Sequence, residues 1–233
     1  MVAASALVGH PGTDELMKYV FLDIVGFSYE RPTEAQADII QDLNRTVTKA
    51  LDQHKVADDQ VVKLPTGDGM CIALRSHGLS YDIHLQLATM LLAMLTERNG
   101  SIIDEPHRFE VRIGIHEETD ITYIDINGNT NVAGAGINMT QRIMSRGDGG
   151  HILLSRRVYD TVENRERYRR EEFRFFPARV KHEVPLTIYQ LIREDCPGLN
   201  LELPSSELAR QDEEQRLAEV ARVVRELVGR LAW

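Results

Sequence analysis

The chain has 233 residues, of which 42% are hydrophobic and 27% charged, and its formal net charge is −9. This length allows one large domain with an appendage, and the composition is typical of a folded globular protein. The acidic balance argues against non-specific nucleic-acid binding, which requires a basic surface. Two cysteines cannot build a disulfide framework or a cysteine-rich metal site. No apolar run reaches bilayer-spanning length, and no basic segment precedes an apolar leader, so we expect a cytoplasmic protein without membrane contacts.

Apolar periodicity predicts alternating strands and helices along the chain. We expect a flexible lead-in over residues 1–15, a strand over 18–23, and a helix that begins at a capping box formed by Thr33 and Gln36. The apolar residues on the inner face of this helix are predicted to be Ile40, Leu43, Val47 and Leu51.

The next segments predict a hairpin, a long helix and further strands. Residues 60–64 and 70–74 form the hairpin, whose turn carries Asp68 at its tip. A helix over 79–97 follows, with Ile83, Leu87, Met90, Leu91 and Met94 facing inwards. The remaining predicted elements are strands over 109–116 and 121–126, a Gly/Asn-rich loop, a helix over 137–144, a strand over 151–154 and a last hairpin over 172–180 and 186–192.

This order predicts an α+β fold with a ferredoxin-like split βαβ core and a β-α-β-β extension. A charged helix over 207–231 carries Leu217, Val220, Val224, Leu227 and Leu231 at spacings of three and four. That apolar seam would join a partner helix or pack on the domain. The expected organisation is a lead-in over 1–15, a catalytic domain over 16–195, and a linker with a C-terminal helix over 196–233.

Two aspartates each follow or interrupt an apolar run that reads as a buried strand. Asp23 ends the run Val20-Phe21-Leu22, and Asp68 lies in the turn Gly67-Asp68-Gly69. A carboxylate beside a buried strand is costly unless a cation pairs with it. Two such carboxylates brought together would repel each other, so a divalent cation is their natural partner. A small set of oxygen ligands completed by phosphates suits magnesium or manganese.

Three stretches together resemble the class III nucleotidyl cyclases, the adenylate and guanylate cyclase catalytic domains. They are Phe21-Leu22-Asp23-Ile24-Val25-Gly26-Phe27-Ser28, Gly67-Asp68-Gly69 and Asn138-Met139-Thr140-Gln141-Arg142. The residues Val111-Arg112-Ile113-Gly114-Ile115-His116 also resemble the central strand of that family. The resemblance covers roughly residues 18–192, and it is specific because the motifs occur together and in the family's order.

The resemblance implies a two-metal site over a nucleoside triphosphate. Asp23 and Asp68 would hold two Mg²⁺ or Mn²⁺ ions, with the backbone carbonyl of Ile24 as a further metal ligand. The backbone amides of Val25, Gly26, Phe27 and Ser28 would bind phosphate oxygens. In Val180-Lys181-His182-Glu183, Lys181 is the candidate for the family's phosphate-binding lysine, although the family more often has Lys-Gly followed by a basic residue.

The resemblance assigns the other half of the site to one helix. Asn138 would orient the ribose, and Arg142, one turn later on the same face, would contact the α-phosphate in the transition state. In the family the aspartates come from one protomer and the Asn/Arg pair from the other. A homodimer with two composite sites is therefore implied.

The chain departs from the family at both base-reading positions. Leu64, four residues before Asp68, replaces the lysine of adenylate cyclases or the glutamate of guanylate cyclases. The adjacent Lys63 points to the opposite side of its strand. Asn131, seven residues before Asn138, stands where adenylate cyclases commonly have aspartate, so neither purine code is intact.

The stretches 64–70 and 133–138 resemble the bacterial pyrimidine cyclases of Pycsar antiphage defence. That resemblance implies UTP as substrate, with cyclic UMP and diphosphate as products, and signalling to a separate effector that senses the cyclic nucleotide. Asn131 can donate and accept hydrogen bonds, so a cytosine edge remains open beside uracil. The sequence also leaves open a purine cyclase and, in a different functional class, a non-catalytic, nucleotide-binding regulatory domain with a cyclase fold.

Overall fold

The computed structural model describes residues 13–180 and 184–231, which form an eight-stranded sheet and five α-helices. The strands are β1 Asp14–Ile24, β2 Val61–Pro65, β3 Gly69–Arg75, β4 Val111–Ile124, β5 Thr130–Ala133, β6 Ile152–Ser155, β7 Phe173–Val180 and β8 Val184–Leu191. The helices are α1 Thr33–Gln53, α2 Ile83–Ser101, α3 Ala135–Met144, α4 Arg156–Val162 and α5 Ser205–Leu231.

The sheet order is β2-β3-β1-β4-β6-β8-β7, with β5 paired to the outer part of β4. The first four strands and the first two helices form the split βαβ unit, in which β1 lies between β3 and β4 and is antiparallel to both. The strand β6 adds in parallel to β4, and the hairpin β7–β8 extends the sheet beyond it. The predicted α+β architecture with a ferredoxin-like core is therefore confirmed.

The two faces of the sheet bury different sets of side chains. Val20, Leu22 and Ile24 of β1 pack in the main core with residues of α1, α2 and α4. Tyr19 and Phe21 lie in a second cluster on the opposite face, where α3 packs. Since strand side chains alternate, Asp23 projects on the α3 side of the sheet.

Two details of α1 differ from the prediction. Ile39 is fully buried whereas Ile40 is half-buried, so the inner face begins one residue earlier than expected. The capping box is also wrong: Pro32 is the N-cap residue, with no side-chain cap. The side-chain amide of Gln36 donates instead to the carbonyl of Arg31 at 2.9 Å.

The predicted strands over 109–116 and 121–126 are one continuous strand, β4. The polar residues between them stay in the sheet because partners on β1 compensate their charges: Lys18 pairs with Glu117 at 2.8 Å across the strands. The expected Gly/Asn-rich loop contains the short strand β5. The helix α2 begins at Ile83, and α4 was not predicted.

Leu217 and Val220 of α5 are 62% and 59% exposed, so neither side chain is buried against the domain. Among the described residues, no helix is long and apolar enough to cross a membrane.

Candidate active site

The backbone holds Asp23 and Asp68 beside each other. Asp23 faces Gly69 in the β1–β3 register, and the amide of Ile24 donates to the carbonyl of Asp68 at 3.0 Å. A Cβ atom at Gly69 would lie 2.3 Å from the carbonyl oxygen of Leu22, so only glycine permits this close passage. The two predicted metal ligands are thus brought together at one end of the central strands.

Arg112 is the cation next to this pair. It faces Asp23 across β1 and β4, and its Nε and Nη2 donate to Oδ2 of Asp23 at 3.0 and 2.8 Å. Burial raises the pKa of the Asp23 carboxyl, the hydrogen bonds from Arg112 oppose that rise, and the nearby Asp68 carboxylate adds to it. The net result is a pKa above the usual value, which is the condition that a bound cation would relieve.

The donor set around the pair fits a metal ion that shares its coordination with a ligand. Within residues 13–180 and 184–231, no group of three or more His, Cys, Asp or Glu side chains could enclose a metal. Two carboxylates without further side-chain ligands instead match Mg²⁺ or Mn²⁺ sites completed by substrate phosphates and water. The side chain of Ile24 is buried in the main core, so this residue can reach a ligand only through its backbone.

The turn after β1 presents three backbone amides. No backbone hydrogen bond is made by the amides of Gly26, Phe27 and Ser28 within the described chain, so they remain available to an anion. The Val25 amide is different, because it donates to the carbonyl of Glu110 at 2.9 Å. Of the four amides predicted to bind phosphate, that of Val25 is thus already paired, and those of residues 26–28 are not.

Arg31 shapes this turn and was not identified from the sequence. Its guanidinium donates to the carbonyls of Gly26 at 3.1 Å and Phe27 at 2.8 Å, and also to those of Pro106 and Arg108. By drawing carbonyls of the turn towards itself, Arg31 fixes the conformation in which those amides stay unpaired. No local motif marks this role, since two of its acceptors lie more than seventy residues away in the chain.

The helix α3 carries Asn138 and Arg142. Asn138 is exposed, and its side-chain amide reaches the carbonyl of Gly134 at 3.5 Å. Arg142 is half-buried, and its guanidinium has no hydrogen-bonding or ion-pair partner in the part of the chain that the structure describes. An arginine fork without an internal partner is available to an external anion.

Leu64 lies on β2 and Asn131 on β5, two strands that contact each other although they are not paired in the sheet. Leu64 packs with Ile137 against the cluster that contains Val62 and Val132, so it offers an apolar wall. Asn131 is half-buried, and its Oδ1 accepts a hydrogen bond from the Val132 amide at 2.7 Å. That bond leaves the Nδ2 group of Asn131 free to donate.

The structure brings the predicted residues together in two groups within one chain. One contains Asp23, Asp68 and the turn over 26–28, and the other contains α3 with Leu64, while Asn131 lies beside it on β5, next to Val132. Among the described residues, no hydrogen bond or ion pair joins Asn138 or Arg142 to either aspartate. Lys181 lies outside the described residues.

Comparison with known proteins identifies the class. The family model described as the adenylate and guanylate cyclase catalytic domain matches residues 13–192. The chain therefore belongs to this family, whose members depend on divalent metal ions. A search of the curated proteins found no significant relative.

Solved structures share the fold at low sequence identity. The guanylyl cyclase Cya2 superposes with a TM-score of 0.65 at 19% identity, covering 82% of this chain and 100% of its own. The adenylyl cyclase CyaB from P. aeruginosa gives 0.58 at 19% identity, covering 78% and 97%. The guanylate cyclase domain of RhGC from Catenaria anguillulae, in complex with GTP, gives 0.58 at 19% identity, covering 76% and 96%. These likenesses establish the fold.

Proposed function

We propose that this protein is an active nucleotide cyclase that converts a nucleoside triphosphate to its 3′,5′-cyclic monophosphate and diphosphate. The observation that carries the proposal is that Asp23 and Asp68 are adjacent and that Arg112 donates a hydrogen bond to Asp23. This pair retains both carboxylates that the family needs, whereas a regulatory domain with a cyclase fold has no need to keep them.

Different residues of the chain would bind the metal ions, the phosphates and the ribose. Asp23, Asp68 and the Ile24 carbonyl would hold two divalent metal ions, Mg²⁺ or Mn²⁺, which when bound polarise the 3′-hydroxyl and stabilise charge on the α-phosphate. The amides of residues 26–28, with Lys181, bind the leaving phosphates. Arg142 neutralises the charge that develops on the α-phosphate, and Asn138 orients the ribose.

The active form is a homodimer with composite sites. The support is that Arg142 has no partner among the described residues and makes no contact with the aspartates of its own chain. In a two-fold dimer, the aspartates of one protomer would meet α3 of its partner, and symmetry would create two such sites.

The substrate is UTP. Leu64 presents an apolar wall where purine cyclases place a charged base reader, and the Oδ1 atom of Asn131 already accepts one hydrogen bond, from the Val132 amide. The Nδ2 group, whose two N–H donors have no partner among the described residues, suits the O4 acceptor of uracil better than the N4 amino donor of cytosine. By its resemblance to bacterial pyrimidine cyclases, the protein makes cyclic UMP as a second messenger in antiviral defence, read by a separate effector.

The direct test is to incubate purified protein with each of the four ribonucleoside triphosphates and Mn²⁺, and to identify the products by mass spectrometry. We expect cyclic UMP to dominate. Cyclic AMP or cyclic GMP as the main product would refute the pyrimidine assignment, and the absence of every cyclic product would refute the enzyme assignment.

A substitution at the metal pair separates an enzyme from a non-catalytic binding domain. Asp68→Asn should lower activity by at least about 100-fold, because an amide is a poor ligand for a hard cation. The matched control is Asp125→Asn in the β4–β5 turn. Oδ1 of Asp125 accepts the amides of Asn127 and Asn129, and an asparagine oxygen keeps both bonds. Equal activity of the two variants would contradict a metal role for Asp68.

A further inference from the structure

A buried carboxylate outside the metal pair contacts the start of α3. Asp120 is 4% exposed, and its Oδ2 accepts hydrogen bonds from the Tyr19 hydroxyl at 2.5 Å and from the Gly136 amide at 2.9 Å. Gly136 is the second residue of α3, so this carboxylate satisfies one of the amides that a helix leaves unpaired in its first turn. A negative charge at this end of a helix is also favourable.

Two glycines of the Gly/Asn-rich segment make this contact possible. A Cβ atom at Gly134 would lie 1.8 Å from Oδ1 of Asp120, and one at Gly136 would lie 2.4 Å both from Oδ2 of Asp120 and from the Tyr19 ring. Any other residue at either position would displace the carboxylate or the helix. The spacing Gly134-Ala135-Gly136 is thus explained by contact with Asp120.

A second close contact holds the other end of α3. A Cβ atom at Gly114 of β4 would lie 2.6 Å from the Thr140 carbonyl oxygen and from the Met144 nitrogen, so the helix lies directly on the strand. The position of α3 is therefore set at its first turn by Asp120 and at its last turn by Gly114. Asn138 and Arg142 lie between these two anchors.

We propose that Tyr19, Asp120, Gly134 and Gly136 form a latch that positions Asn138 and Arg142 for catalysis. The inference rests on the proposed cyclase function and extends it to residues that do not touch the substrate. Burial and the neighbouring Asp120 carboxylate raise the pKa of Tyr19, so its hydroxyl remains a donor at neutral pH. Since a misplacement of about 1 Å can cost a factor of about 100 in rate, loosening α3 is expected to affect turnover strongly.

The first measurement compares steady-state kinetics of latch variants with a matched control. Asp120→Ala should lower kcat by about 10- to 100-fold with KM changed less than about threefold, because Arg142 acts mainly in the transition state. Tyr19→Phe, which keeps the ring and removes one hydrogen bond, should lower kcat by only about three- to tenfold. If Asp120→Ala does not fold, the same kinetic comparison is made with Asp120→Asn and Tyr19→Phe.

The control is Asp82→Ala. Asp82 is also a buried carboxylate at a helix start, 1% exposed, and it accepts hydrogen bonds from the Tyr168 hydroxyl at 2.9 Å and from the side-chain amide of Gln86 at 2.6 Å. It precedes α2, on the other face of the sheet, so its loss should lower stability without lowering kcat of the folded protein. Unchanged kcat in the Asp120 variants, or an equal loss in Asp82→Ala, would overturn the latch.

The second measurement assigns Asp120 to one half of the composite site. In mixed dimers, Asp120→Ala should recover activity with Asp68→Ala, whose α3 is intact, and should recover none with Arg142→Ala. If Asp120 affected only the overall stability of the protomer, recovery of activity would not depend on which of the two variants is its partner. Recovery with Arg142→Ala but not with Asp68→Ala would overturn the proposal.

Hydrogen–deuterium exchange gives a readout that does not depend on activity. The peptide that spans residues 134–144 should exchange faster in Asp120→Ala than in the wild type, and at the wild-type rate in Asp82→Ala. Wild-type exchange in Asp120→Ala would overturn the latch. A wild-type protein inactive with all four triphosphates would instead refute the proposed function, and exchange would still decide whether Asp120 holds α3.

Discussion

Arg112 directs both of its hydrogen bonds to a single carboxylate oxygen of Asp23, with Nε at 3.0 Å and Nη2 at 2.8 Å from Oδ2. The two residues face each other in the β1–β4 register, so the pairing is built into the sheet. Oδ1 of Asp23 is left without a hydrogen bond from Arg112 and stays available to a cation. Arg112 thus helps to keep Asp23 ionised without occupying both of its oxygens.

Arg112→Met should move the acid limb of the pH–activity profile to higher pH. Arg112 opposes the rise in the pKa of Asp23 that burial causes, so its removal raises that pKa further. Since metal binding requires the carboxylate form, activity would then be lost at a higher pH as the solution is acidified. We expect the Mn²⁺ concentration for half-maximal activity to rise above the wild-type value in acidic solution, where protons compete with the metal for Asp23.

The control for this change is Arg75→Met. Arg75 pairs with Glu15 at 3.2 Å between β1 and β3, at the other end of the strands from Asp23. Its loss should leave the pH profile in place. An identical shift in both variants would mean that the net charge of the protein, and not the contact with Asp23, determines the acid limb of the pH–activity profile.

Asp23→Asn should stabilise the metal-free protein while it abolishes activity. A carboxyl whose pKa is raised in the folded state binds protons more tightly there than in the unfolded chain, so it favours folding below the unfolded pKa. That contribution is lost as pH rises through the folded pKa. At neutral pH the ionised Asp23 therefore destabilises the fold, and a neutral amide removes this cost.

Thermal unfolding in EDTA at pH 7 measures the effect, with Asp42→Asn as the control of opposite sign. Burial disfavours ionised Asp42, but Arg98 and Arg45 outweigh it and lower the pKa of Asp42, so this carboxylate stabilises the fold at neutral pH. We expect the Tm to rise by about 1–3 °C in Asp23→Asn and to fall in Asp42→Asn. A lower Tm in Asp23→Asn would contradict the claim that ionised Asp23 destabilises the metal-free fold.

Asn131→Asp should change base preference. The substitution replaces the Nδ2 donor by a carboxylate oxygen, which repels the O4 acceptor of uracil and accepts from the N4 amino group of cytosine. The ratio of kcat/KM for UTP over CTP should fall by about 10- to 100-fold. Asn129→Asp in the preceding turn is the matched control, and an unchanged ratio in Asn131→Asp would show that another residue reads the base.

Local patterns were sufficient to predict the fold class, since the hydrophobic periods of β1, α1, the β2–β3 hairpin and α2 are strong. They misplaced the start of the buried face of α1 because Ile39 and Ile40 are adjacent and both apolar. They also divided β4 in two, because Glu117 and Asp120 interrupt its apolar run. Lys18 and Tyr19, about one hundred residues earlier, compensate those two carboxylates.

The residues of the candidate site can also be divided into those that a local motif predicts and those that only the structure reveals. Asp23, Asp68, Asn138 and Arg142 lie in recognisable motifs, and the structure places them on the elements that the sequence predicted. Arg112, Arg31 and Asp120 act through contacts between distant parts of the chain, so no local spacing indicates them. The Val25 amide was assigned to phosphate for the same reason, because its acceptor, the carbonyl of Glu110, lies on another segment.

Activity in mixed dimers tests the shared catalytic site most directly. Asp68→Ala and Arg142→Ala, each inactive alone, are mixed under conditions in which subunit exchange is verified with a tagged protomer. Random exchange gives about half heterodimers, each with one intact site of two, so we expect about a quarter of wild-type cyclase activity. Activity that stays at the level of the separate variants despite proven exchange would contradict the shared site.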